Sequence, residues 1–342
     1  MPVDMSLLLK NVRIAFANGQ RASGMWLLDY AIRLADEALS PLPPPLDTAI
    51  ALDPGVVRQS NEDCVLAVQG TLKETQEVFG LFVICDGMGG HIHGLDAAHL
   101  AIETIAESVF PSLLKGSAPG GNWMHVLVEG VQAANRTIYL RNQAESRTSH
   151  DGVGQERTCE RETTPMNLMG TTVTAALLLG NTVSVVNVGD SRAYLYRPQD
   201  GLVRITLDHS WVATLYDLAH QRLTPEGIYT HPQRNQLFRA LGTQASVELD
   251  TFVIEMPPDA VLLLCSDGLW EMTRDLKIEE VLSLDRCAPF LAQRLLDLAK
   301  EGGARDNISC IVVQGSQRSK RLDISEASTL IDPVAGLTRL VS

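Results

Sequence analysis

No stretch of this 342-residue chain approaches the ~20 consecutive apolar residues that cross a bilayer, so a helical membrane protein is excluded. The first residues lack a basic region followed by an apolar core, and secretion is not expected. Positive charge is scarce: 28 Lys and Arg against 41 Asp and Glu leave a formal net charge of -13. Nucleic-acid binding needs the opposite balance, because phosphate backbones are held by a surplus of Lys and Arg. None of the six cysteines, Cys64, Cys85, Cys159, Cys265, Cys287 and Cys310, stands in Cys-x-x-Cys spacing. A zinc framework is therefore not indicated, and the apolar surroundings of four of them predict buried free thiols in a reducing, cytoplasmic setting. In that setting the glycosylation-like triplets Asn135-Arg136-Thr137 and Asn307-Ile308-Ser309 are chance matches.

What is present is an ordinary globular balance, 45% hydrophobic and 20% charged, with ample core for one large domain or two small ones. Residues 1–47 read as a separate helical extension. Leu27, Leu28, Ala31, Leu34 and Ala35 recur at helical spacing over 25–39, and the Pro-rich run 41–45 ends that helix as a stiff linker. No catalytic signal lies there, and the segment is expected to be dispensable for hydrolysis of a small aryl phosphate. A main domain follows over 48–316, and 317–342 read as a tail. Continuous or alternating apolar runs predict strands over 78–85, 172–179, 182–188, 193–196, 203–206, 252–255, 261–265 and 308–313. The joins Gly180-Asn181 and Gly189-Asp190 suit antiparallel hairpins. Helices are predicted over 96–110, 123–144 and 290–299, and polar loops over 145–167 and about 208–235. Strands and helices grouped in blocks indicate α+β layers and not βαβ alternation.

Four acidic words carry the chemistry: Asn61-Glu62-Asp63, Asp86-Gly87-Met88-Gly89-Gly90-His91, Ser266-Asp267-Gly268 and Asp306-Asn307. Asp86, Asp267 and Asp306 adjoin runs that read as buried strands, where a carboxylate is costly unless a cation neutralises it. Taken singly, an Asp-Gly pair is a turn. Several such carboxylates from distant parts of one chain instead suggest hard divalent ions, Mg²⁺ or Mn²⁺, held by oxygen. If the aspartates converge, one of them can bridge two ions, and a water held between the ions becomes a nucleophile near neutral pH.

These words, with Gly55-Val56-Val57-Arg58-Gln59-Ser60 before the first, Met169-Gly170-Thr171-Thr172, Val188-Gly189-Asp190-Ser191-Arg192-Ala193-Tyr194, Asp208-His209-Ser210, Ala240-Leu241-Gly242 and Leu269-Trp270, stand in the order of the metal-dependent type 2C protein phosphatases. The chain resembles that family, most of all its bacterial branch, from about Asp53 to Val313. The resemblance implies a four-layer αββα sandwich of two antiparallel sheets flanked by helices. It implies a protein serine/threonine phosphatase that uses two divalent metal ions, with room for a third and weaker one, on phosphoproteins made by a Ser/Thr kinase; a monomer is expected. By the same resemblance Asp86 would bridge both ions and the Gly87 carbonyl would meet the second. Asp267 and Asp306 would hold the first ion, and Glu62 and Asp63 would act mainly through metal-bound water. Asp190 with Asp267 matches the third-metal position, Arg58 would grip the substrate phosphate, and residues 209–235 correspond to a mobile flap beside the site.

One departure concerns the leaving group. Many eukaryotic relatives place a histidine directly after the Asp-Gly pair, where this chain has Met88. His91 or a metal-bound water would then protonate the leaving alkoxide, unless His91 only fixes the loop. Two rival readings remain at this stage. One is a catalytically weak phosphoprotein-binding scaffold of the same fold. The other is a two-metal hydrolase of nucleotides or nucleic acid, which the acidic balance and the lack of a basic stripe disfavour.

Overall fold

The computed structural model describes residues 5–18, 46–72, 75–88, 92–148, 168–211, 233 and 236–315. Asp47–Asp53 (β1), Ile308–Gln314 (β11), Val261–Cys265 (β10), Arg192–Arg197 (β7) and Gly201–Arg204 (β8) form one sheet in that order. Asp63–Thr71 (β2), Val78–Met88 (β3), Val173–Leu179 (β5), Thr182–Val188 (β6) and Asp250–Glu255 (β9) form the other, with Gly170–Thr171 (β4) against the end of β3. Every pairing among these strands is antiparallel.

Both faces of each sheet are covered, which is why the central strands are apolar throughout and do not alternate. In β3, Phe79, Leu81, Val83 and Cys85 face a core built with Ile92–Lys115 (α2) and Trp123–Thr148 (α3). Phe82 and Ile84 point the other way, into an inter-sheet core with Leu262, Leu264, Ile311 and Val313. A third core lies between the first sheet and Asp267–Thr273 (α4), Asp275–Ser283 (α5) and Ala288–Glu301 (α6). Each Val, Leu or Ile fully buried in these layers stabilises the fold by about 1.5–3 kcal/mol. The layers run helix, sheet, sheet, helix, which is the expected αββα sandwich.

The predicted strands and the three predicted helices are present, most of them extended by a few residues; where a loop was expected from 145, α3 continues to Thr148, and 149–167 lie outside the described residues. Strands β1 and β2 and helices α4 and α5 were not anticipated. Neither was Met5–Ala17 (α1), which places Leu8, Val12 and Ala15 in the core beneath α2 and Leu7 between the sheets. The side chain of Asn11 donates to the Ala67 carbonyl (3.0 Å) and accepts from the Ala67 N–H (3.2 Å). It thereby stands in for a neighbouring strand at the edge of β2. Strand β1 begins at Asp47, across the boundary drawn between 47 and 48. The helix expected over 25–39 lies outside the described residues, as do 212–232 of the flap. The two ends of that flap are tied together, by Trp211 N–H to the Gln236 carbonyl (3.0 Å) and Phe238 N–H to the His209 carbonyl (3.0 Å).

Candidate metal-dependent active site

The acidic residues sit where strand ladders end. Asp63 opens β2 directly opposite Asp86 on β3. Asp190 occupies the turn between β6 and β7, Asp267 opens α4 just beyond β10, and Asp306 stands two residues before β11. These ends gather at one side of the sandwich around a hollow of roughly 260 Å³. Its walls include Arg58, Glu62, Asp86, Gly87, Asp190, Asp267 and Asp306. Asp63 lies behind that wall, buried, with Oδ2 accepting from the Ser266 hydroxyl at 2.8 Å. Of the residues singled out in the sequence, all but His91 are thereby brought to one place, and His91 lies outside the described residues.

The carboxylates are aimed by neutral neighbours. The Asp86 N–H donates to Thr172 Oγ1 (3.0 Å), and its carbonyl accepts from the Thr172 N–H (2.9 Å) and the Thr171 hydroxyl (2.8 Å). Asn307 joins two loops: its Oδ1 accepts the Glu62 N–H (2.9 Å), and its Nδ2 donates to the carbonyls of Pro54 (3.0 Å) and Ser60 (2.9 Å). The Trp270 indole donates to the Asp190 carbonyl at 3.0 Å. Arg192 stacks on that indole, 3.4 Å from its centroid, and makes a buried two-pronged pair with Asp208 (2.9 and 2.6 Å). Arg58, half exposed at the rim, donates to Asp306 Oδ2 at 2.7 Å.

Charge is crowded here. Burial raises the pKa of Asp63 to about 7, against the lowering by its hydrogen bond from Ser266. Burial also raises Asp190 to about 7, with Asp208 adding to the effect. Asp86 and Asp267 are pushed well above the usual carboxylate range, first by burial and then by the other carboxylates of the cluster. Such a set is unfavourable at neutral pH without cations.

The residues fit divalent ions. Asp267 Oδ1 is buried with no hydrogen-bond partner among the described residues. A side chain on Gly87 would run into the carbonyls of Gly94 and Glu62, and one on Gly94 into the Glu62 carboxylate, so the wall is shaped by bare backbone. Among the described residues no three His, Cys, Asp or Glu side chains close on a single point. Glu62, Asp86, Asp190, Asp267 and Asp306 nevertheless line one hollow, and oxygen donors of this kind are the ones Mg²⁺ and Mn²⁺ take.

The profile of the family described as Protein phosphatase 2C matches residues 59–312. The chain belongs to the protein phosphatase 2C family. It is 31% identical over 274 residues to the serine/threonine phosphatase stp of Listeria innocua, covering 80% of this chain and 97% of that one. The crystal structure of the Mycobacterium tuberculosis serine/threonine phosphatase PstP/Ppp is 36% identical, with a TM-score of 0.62 over 79% of this chain and 98% of that one. A second structure, the catalytic domain of PstP in complex with two manganese ions, is 33% identical, with a TM-score of 0.61 over 79% and 97%. Membership makes the chain a phosphatase that uses divalent metal ions, a hydrolase, and decides against the phosphoprotein-binding scaffold.

Thr171, Thr172, Arg192, Asp208 and Asn307 stand within the motifs of the sequence, but their supporting contacts emerge only in the fold. Their polar side chains inside or beside apolar strand runs were the available signal. Gly94 carried none, because its value lies in what packs against it.

Proposed function

We propose that the hollow is the active site of a protein serine/threonine phosphatase acting on phosphoserine and phosphothreonine in proteins. The observation that carries this is the convergence of Glu62, Asp86, Asp190, Asp267 and Asp306 around one opening with Arg58 at its lip. Two divalent ions, Mn²⁺ or Mg²⁺, bound there would activate a water for direct attack on phosphorus, with Asp190 and Asp267 offering a third, weaker position. Arg58 holds the phosphate with its planar fork, and its present partner Asp306 keeps the guanidinium at the rim. Asp86 and Gly87 line the hollow, where the Gly87 carbonyl would join the Asp86 carboxylate in holding metal, while Asp63 and Ser266 brace the wall from behind. Protonation of the leaving alkoxide would fall to His91 or to water held by the ions, since Met88 has no acidic proton to give.

Every residue named belongs to one chain, so a monomer suffices. Buried thiols at Cys64, Cys85, Cys265 and Cys310, none of them in a disulfide, support a cytoplasmic setting, where a Ser/Thr kinase would supply the substrates. We assign 48–316 to the catalytic unit, with α1 packed against it and 317–342 as a tail.

The test is phosphate release from a phosphothreonine peptide with Mn²⁺, with Mg²⁺ and with EDTA, beside Asp267→Asn. Metal-dependent release that the variant loses is expected. Release that survives EDTA or an Asp86→Ala change would overturn the assignment, and hydrolysis of a cyclic dinucleotide in place of the peptide would redirect it.

A further inference from the structure

Arg58 does not stand alone at the rim. The two residues before it, Val56 and Val57, are 71% and 65% exposed, although both are β-branched aliphatic residues in a chain with ample core. Isolated apolar residues at a surface need no explanation. An adjacent pair on a fixed loop beside a catalytic opening is different.

The loop is fixed from both sides. Gly55 takes a positive φ of 77°, and a Cβ there would run into the carbonyls of Asp306 and Ala304. Its N–H donates to Asp53 Oδ1 (2.9 Å), and the Val56 N–H donates to the Ala304 carbonyl (2.9 Å). Asn307 Nδ2 holds Pro54 and Ser60, the residues on either side of the segment. The backbone carrying the valines is therefore ordered before anything binds, and valine has little rotamer freedom left to lose. A preformed apolar ledge lies within two residues of the guanidinium that, under the reading above, holds the phosphate.

We infer that Val56 and Val57 form a specificity ledge for the apolar side chain of a residue flanking the phosphoserine or phosphothreonine of the substrate. Val56 and Val57 directly precede Arg58, so at ~3.5 Å per extended residue a side chain about two positions from the phosphoresidue is the one placed to meet the ledge while the phosphate sits on Arg58. Acidic flanking residues would gain nothing from the valines and would meet the negative field of a chain of net charge -13. The inference rests on the phosphatase reading, and its test separates the two.

The test compares phosphothreonine peptides identical except for Leu or Ser at two positions before or after the phosphoresidue, with wild type and a Val56→Ser/Val57→Ser variant, at saturating Mn²⁺. Hydrolysis of 4-nitrophenyl phosphate is measured in parallel. For wild type, kcat/KM is expected to favour one of the Leu peptides by about tenfold, through KM. The variant should lose that preference while 4-nitrophenyl phosphate turnover stays within about twofold, since that substrate has no flanking residue. Equal use of Leu and Ser peptides by wild type, or a Leu preference that survives in the variant, overturns the ledge and leaves the phosphatase reading intact. Absence of 4-nitrophenyl phosphate and peptide turnover in folded wild type overturns both.

Discussion

The Asn307 side-chain oxygen accepts the Glu62 N–H at 2.9 Å, although the residues are 245 positions apart. One neutral amide thus fixes the distance between the loop carrying Arg58 and Glu62 and the loop carrying Asp306. Replacing it by alanine leaves the Glu62 N–H and the carbonyls of Pro54 and Ser60 without their partner. A cost of about 3 kcal/mol is expected from such exposed needs in a largely dry setting. Asn307→Ala should lower the urea midpoint accordingly and weaken Mn²⁺ binding by 10-fold or more, on the order seen for groups that orient metal ligands. Chemical denaturation and calorimetric Mn²⁺ titration check both, and unchanged Mn²⁺ affinity would remove Asn307 from the site.

Gly268 poses the same loop a steric problem. A Cβ at this position would run into the Asn307 carbonyl, so Gly268→Ala must separate α4 from the 306–307 loop. Asp267 and Asp306 then part by a fraction of an ångström or more. Displacement of catalytic groups on the order of 1 Å costs about 100-fold in rate. The variant should keep its far-ultraviolet circular dichroism and lose about that factor in metal-dependent aryl phosphate hydrolysis.

The layers of the fold were readable because period and composition report burial. Val78–Cys85 is apolar on both faces since β3 has a sheet on one side and helices on the other. Asp86, Asp267 and Asp306 were readable for the converse reason, being charges beside dry strands. Helix α1 was not, because Asn11 interrupts its apolar face, and only the edge of β2 explains an asparagine there. The partners of Asn307, Thr172 and Ser266 were likewise hidden, since hydrogen bonds to residues 245, 86 and 203 positions away leave no local pattern.

Crowded carboxylates predict an unusual pH response. The native pKa values of Asp63 and Asp190, about 7, lie above the ordinary 3.8. Between those values the native state binds more protons than the unfolded chain. The stabilisation from these groups is therefore complete below about pH 3.8 and lost as pH rises through about 7. In EDTA the melting temperature, corrected for other groups with an Asp63→Asn/Asp190→Asn variant, should fall over this window. Saturating Mn²⁺ should flatten or invert the slope, because ions bind the deprotonated carboxylates and displace their protons. Parallel slopes with and without metal would count against the cage.

Arg192 and Asp208 make the deepest ion pair at the site, both nearly inaccessible and joined at 2.6 Å. Removing Arg192 leaves the buried Asp208 only the longer contact from the partly exposed Arg204, at 3.3 Å. Arg192→Ala is expected to cost about 3 kcal/mol. It also removes the stack on Trp270, whose indole holds the Asp190 carbonyl. Arg192→Lys keeps the charge and loses the fork, so it should restore part of the stability and little of the Trp270 order, visible in tryptophan fluorescence. Full rescue by lysine would show that charge alone matters there.

Helix α1 separates stability from turnover. Leu7, Leu8, Val12 and Ala15 are buried, yet no residue of α1 lines the catalytic hollow. Deleting residues 1–18 exposes apolar surface of β2 and leaves the Ala67 N–H and carbonyl without Asn11. The melting temperature should fall by several degrees or more, since ~1 kcal/mol corresponds to about 2–4 °C in a domain of this size. Turnover per folded molecule on an aryl phosphate should persist, because the wall residues are held by Asn307, Thr171, Thr172 and Ser266. The point variant Asn11→Ala isolates the edge contribution and should lower stability by about 1–3 kcal/mol with kcat unchanged. If kcat falls with Asn11→Ala while the protein stays folded, the helix acts on the site through β2, whose first residue is Asp63.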